Sequence, residues 1–125
     1  MANPFVHLEL MANDVSKAKS FYGKLFDWKM EDTSVDNLPT PDKTYTMIKV
    51  GEGTGGGLMK NPMPNTPSSW LAYVLVDDVK KAVDKAKSLG ATVMKDKTEV
   101  KDMGSFAIIN DPTGAMLGLW ETKKH

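Results

Sequence analysis

The chain has 125 residues, 41% of them hydrophobic and 26% charged, a balance that suits one soluble globular domain with a modest core. Sixteen basic residues, all Lys, offset sixteen Asp and Glu, so neither a basic footprint nor an Arg fork for nucleic acid is present. There is no cysteine, which excludes disulfides, thiolate metal sites and cysteine nucleophiles. No apolar run reaches the roughly 18 residues of a membrane span. The N-terminus lacks a signal-peptide pattern, and a cytoplasmic location is expected.

The first predicted element is a strand, "FVHLEL", beginning at Phe5. Asn13 or Asp14 then caps a helix whose apolar residues Val15, Ala18, Tyr22, Leu25 and Phe26 recur at helical spacing. "TYTMIKV" and "GGGLMK" read as strands. "NPMPNTPSS" holds three prolines in nine residues and reads as a linker. "WLAYVLV" is a strand, and Asp77 or Asp78 caps a second helix carrying Val79, Ala82, Val83, Ala86 and Leu89, closed by Gly90. "ATVMKD", "SFAIIND" and "AMLGLWE" complete the chain as strands.

The order strand, helix, strands then occurs twice. Setting His7 against Leu71 also aligns Asp14 with Asp78, Val15 with Val79, Ala18 with Ala82 and Leu25 with Leu89; further on, Gly57 meets Gly118 and Leu58 meets Leu119. Two copies of a βαβββ module are expected: residues 4–60 and 70–122, joined by the Pro-rich stretch 61–69, in a single domain over 1–125.

The segments "MANDVSKAKSFYGKLFDW", "VDDVKKAVDKAKSLGATVM" and "INDPTGAMLGLW" resemble the vicinal oxygen chelate superfamily, the glyoxalase/bleomycin resistance/dioxygenase fold. "HLEL", "WLAYVLVDDV" and "DPTGAMLGLW" are most similar to its glyoxalase-like branch related to a mycobacterial 27-kDa antigen. The resemblance implies an α+β fold: two tandem modules forming a curved mixed sheet around a central cavity, with helices outside. It also implies a homodimer. In metal-dependent members, four ligands come from the start of each first strand and from each last strand. Here those positions hold His7, Leu71, Gly57 and Gly118, one donor of four, so no metal and no other cofactor is expected. The other histidine, His125, is the last residue and is expected to be disordered. The two glycines fit either a close backbone approach or space left for a ligand.

Alternation along the strands places Phe5, His7, Glu9 and Met11 on one face, with Met59, Leu71, Tyr73, Met116 and Trp120 on the corresponding faces of other strands. An apolar, methionine-rich lining with a few polar groups suits a small-molecule ligand. Phe5, Met11, Met59, Leu71, Tyr73, Met116 and Trp120 are therefore the candidate ligand-binding residues, unless they simply fill a core. Glu9 and His7 are the candidate catalytic pair. A carboxylate on an inner face needs a partner, so Glu9 is a structural hydrogen-bonding group, a ligand-orienting group or a general base. Two functions follow: a metal-independent binder of an apolar or aromatic molecule, or a lyase or isomerase transferring protons through Glu9 and His7, with or without a recruited divalent metal. A purely structural or regulatory role is a third. Neither nucleic acid nor membrane is an expected partner.

Overall fold

The structure is a computed structural model and describes residues 2–34, 44–63, 65–100 and 102–123. His125 lies outside the described residues. Eight strands and two helices follow one another as β1 (Phe5–Ala12), α1 (Val15–Leu25), β2 (Lys29–Ser34), β3 (Thr44–Lys49), β4 (Gly56–Lys60), β5 (Ser69–Leu75), α2 (Val79–Ser88), β6 (Thr92–Val100), β7 (Gly104–Asn110) and β8 (Met116–Thr122). This is an α+β chain built of two βαβββ modules. The chain divides into two compact units, His7–Leu71 and Met1–Val6 with Ala72–His125.

In the first unit the strands run in the order β2-β3-β4-β1, with β1 parallel to β4 and the other pairs antiparallel. One sheet face packs Leu10, Ala12, Ile48 and Leu58 against Val15, Ala18 and Tyr22 of α1. α1 starts where Asp14 accepts a hydrogen bond from the Lys17 amide at 3.0 Å, satisfying one of the helix's orphan donors. It ends where Phe26 turns extended, φ −126°. Leu25 and Phe26, the last apolar residues of the predicted helix, are 55% and 44% exposed at its C-terminal end. β2 is a strand for which no segment was anticipated. Its sequence KMEDTS lacks apolar alternation, and it sits at the sheet edge, where pairing with β3 alone suffices. The Pro-rich stretch is pinned down. The buried Asn61 amide donates to Asn13 Oδ1 and Thr66 Oγ1, both at 3.0 Å, and the Asn13 amide donates to the Thr66 carbonyl at 3.0 Å.

The second unit repeats the arrangement: β5 runs parallel to β8, with β7 and β6 following antiparallel. Val79 and Val83 of α2 bury against Ala107, Ile109 and Leu119. Asp78 accepts from the Lys81 amide at 3.0 Å, the same cap that Asp14 makes one repeat earlier. Glu121 of β8 adds a second acceptor at this end, taking the Val79 amide at 2.8 Å. α2 closes with Gly90 at φ +101°, its amide bonded to the Lys87 carbonyl and that of Ala91 to the Ala86 carbonyl. This left-handed closure suits glycine. The "DPTGA" turn joins β7 to β8. The Asp111 carboxylate collects the Thr113 amide and hydroxyl and the Ala115 amide, at 2.8, 2.6 and 3.1 Å.

Candidate functional site

The face of the first unit away from α1 carries the polar groups. Pairing Glu9 with Gly57, Met11 with Met59, and Met47 with Gly57 puts these residues on one face; His7 and Tyr45 join them two residues along their strands. At the centre the Tyr45 hydroxyl donates to Glu9 Oε1 at 2.9 Å and lies 2.7 Å from His7 Nε2. A phenol has one proton, and here it goes to Glu9, so His7 donates its Nε2–H to the Tyr45 oxygen. Burial lowers the His7 pKa below that of a free imidazole, which favours the neutral ring. The result is a directed chain from His7 through Tyr45 to Glu9. Glu9 is only 7% exposed, and the phenol gives its carboxyl a donor.

Tyr45 is held where it is by an empty position. A Cβ on Gly57 would coincide with the Tyr45 hydroxyl and ring. The phenol thus fills the volume of the missing side chain at 57, where the resemblance places a metal-ligating carboxylate. Its hydroxyl also bonds His7, the one residue of the four positions with a side-chain donor. The second unit does the same. Tyr73 stands opposite Gly118 in register, and its ring covers that glycine where a Cβ would go. Leu71, Gly57 and Gly118 offer no side-chain donors, so this set does not make the family's four-ligand centre. Among the described residues, no three of His, Asp and Glu stand together as metal ligands would.

Of the other anticipated residues, Met11, Met59, Leu71 and Tyr73 are buried, Met116 and Trp120 are half-buried, and Phe5 is 63% exposed. Met11 and Met59 are cross-strand partners beside Glu9 in the first unit. Met116 and Trp120 share the Tyr73 face in the second. Tyr45 was not anticipated. The signal for it was Gly57: a glycine inside a paired strand asks which neighbouring ring lies over it.

A family profile for the glyoxalase/bleomycin resistance protein/dioxygenase superfamily matches residues 5–119. The chain belongs to this superfamily. A candidate glyoxylase, CFP32, from Mycobacterium bovis and Mycobacterium tuberculosis is 35% identical over 123 residues, covering 94% of this chain. That match takes in only 45% of CFP32, so the chain spans about half the length of the curated relatives it matches. Among solved structures, methylmalonyl-CoA epimerase from Mycobacterium tuberculosis aligns over 96% of this chain and 88% of its own, with a TM-score of 0.70 and 13% identity. The hypothetical protein BH1468 from Bacillus halodurans aligns over 100% and 98%, with a TM-score of 0.68 and 15% identity. These two share the fold. No helix among the described residues is long and apolar enough to cross a membrane.

Proposed function

We propose that the protein binds a small apolar or aromatic molecule on its methionine-rich sheet faces, as a superfamily member without the four-ligand metal centre. The observation that carries this reading is the Tyr45 hydroxyl, bonded to both His7 and Glu9 where a ligating side chain at 57 would stand. Fixed polar groups on an otherwise apolar surface orient a ligand while the apolar area supplies affinity. Glu9 holds Tyr45, and Tyr45 sets the tautomer and orientation of His7. Methionine side chains adapt to several ligand shapes. Exposed Phe21, Leu25 and Trp70 in the first unit fit the dimer common in the superfamily. The test is a thermal-shift screen of apolar and aromatic compounds, with any binder re-measured by calorimetry on Tyr45→Phe. Weakened binding in that variant supports the reading; unchanged affinity removes the polar chain from it.

A second reading is proton transfer in a lyase or isomerase. It is favoured by the carboxyl–phenol–imidazole chain itself, and the fold is one that methylmalonyl-CoA epimerases also use. Glu9 would take a proton from an acidic C–H bond, becoming a neutral acid, and return it from the same side, at the same carbon or at a conjugated position of the resulting carbanion. Tyr45 keeps its hydrogen bond to the carboxyl in both states. Glu9→Gln separates the two readings: lost turnover at unchanged ligand affinity points to catalysis, and weaker binding with no turnover in either form points to a binding protein.

A further inference from the structure

In the second unit, Oδ1 of Asn110 is buried and finds no hydrogen-bond partner among the described residues. Buried carbonyls are nearly always paired, so an orphan one marks a place where something else supplies the donor. Asn110 ends β7, with Met116 opposite in β8 and Ile108 two residues back on the same face. Ile108 pairs in turn with Gly118, which the Tyr73 ring covers. Tyr73, Ile108 and Met116 thus make an apolar shelf with one unpaired acceptor at its end. The inner part is closed, with Tyr73 and Gly118 buried, whereas Ile108, Asn110 and Met116 are half-buried. The backbone at the acceptor is fixed by the adjoining turn, where the Asp111 amide donates to the Ala115 carbonyl at 2.8 Å. Met116, opposite Asn110 in β8, is half-buried and unbranched, a side chain that adapts its shape at little cost.

We infer that this shelf is a ligand subsite in which the Asn110 carbonyl accepts a hydrogen bond from an N–H or O–H group on a flat apolar molecule. This rests on the binding function proposed above and narrows its ligand class: an aromatic carrying a donor, rather than a hydrocarbon. Asn110 sets the specificity and the apolar residues supply the contact area.

The test compares indole with 1-benzothiophene, bicycles of like shape of which only indole has an N–H. Calorimetry on the wild type is expected to show indole binding about five-fold tighter, the worth of one hydrogen bond. In Asn110→Leu and in the smaller Asn110→Ala the preference should vanish, while benzothiophene affinity stays within about two-fold, too small a change to signal a lost hydrogen bond. Asn110→Leu should also melt no lower than wild type, because it removes an unpaired acceptor. Equal binding of both probes to the wild type, or a preference that survives in both variants, overturns the subsite and leaves the binding function standing. A marked fall in melting temperature in both variants also overturns it, since the amide would then be partnered in the free protein. Binding of neither probe overturns the subsite and the small-aromatic reading together.

Discussion

Tyr45→Phe removes a single oxygen, one that bonds both His7 and Glu9. It accepts from His7 at 2.7 Å and donates to Glu9 at 2.9 Å. The ring stays, so the volume over Gly57 stays filled and no cavity term enters. The bond to the Glu9 carboxylate belongs to the stronger class, worth about 1.5–3 kcal/mol, and the bond from the neutral imidazole to about 0.5–1.5 kcal/mol. Because Glu9 and His7 make further interactions, the loss should fall toward the lower ends, about 2–3 kcal/mol in total. For a chain of this size that is a fall in melting temperature on the order of 6–12 °C. Urea unfolding of wild type, Tyr45→Phe, Glu9→Gln and the double variant gives the coupling directly. The cycle should return about 1–2 kcal/mol between residues 9 and 45, as for groups in one hydrogen-bonded network. A Tyr45→Phe protein within about 0.5 kcal/mol of wild type, the range of an inert surface change, would refute the idea that this phenol ties the face together.

Gly57→Ala should destabilise by roughly 1–3 kcal/mol, since its Cβ meets the Tyr45 ring. In a Tyr45→Ala background the same change should cost much less, which chemical denaturation of the four proteins will report. His7 is neutral in the fold because burial lowers its pKa. The unfolded chain therefore takes up this proton first, so stability should be full above about pH 6.5 and fall as pH drops toward the folded pKa; that part of the pH–stability curve should flatten in His7→Gln. Asp78→Ala or Glu121→Ala should each cost about 1 kcal/mol by leaving an amide at the start of α2 without its acceptor, seen as local amide exchange in that helix. The glutathione–methylglyoxal adduct should not be turned over, even with added Ni²⁺ or Zn²⁺; metal-dependent turnover in a standard glyoxalase I assay would refute the ligand assignment at residues 57, 71 and 118.

Much of the architecture was legible because it rests on short-range signals. Asp14 and Asp78 cap their helices, and Gly90 closes α2, through bonds within a few residues of themselves. The repeat was legible because the same bonds recur one module later. β2 was hidden because an edge strand facing solvent has no apolar alternation to betray it. At the site, His7, Glu9 and Gly57 were recognisable from their positions in strands, but Tyr45 was not. Its importance depends on β3 pairing with β4 in a register that brings it diagonally over Gly57, and pairing register is a property of the folded sheet.

The two tyrosine–glycine pairs also constrain how this chain could change. Placing a carboxylate at 57 or 118 requires room that an aromatic ring holds, and removing the ring alone leaves a void. Each half of the exchange is unfavourable alone, in both units. The pairs therefore couple two positions in each module: an acidic side chain at 57 or 118 should be tolerated better when the facing tyrosine is replaced with it than when either change is made alone.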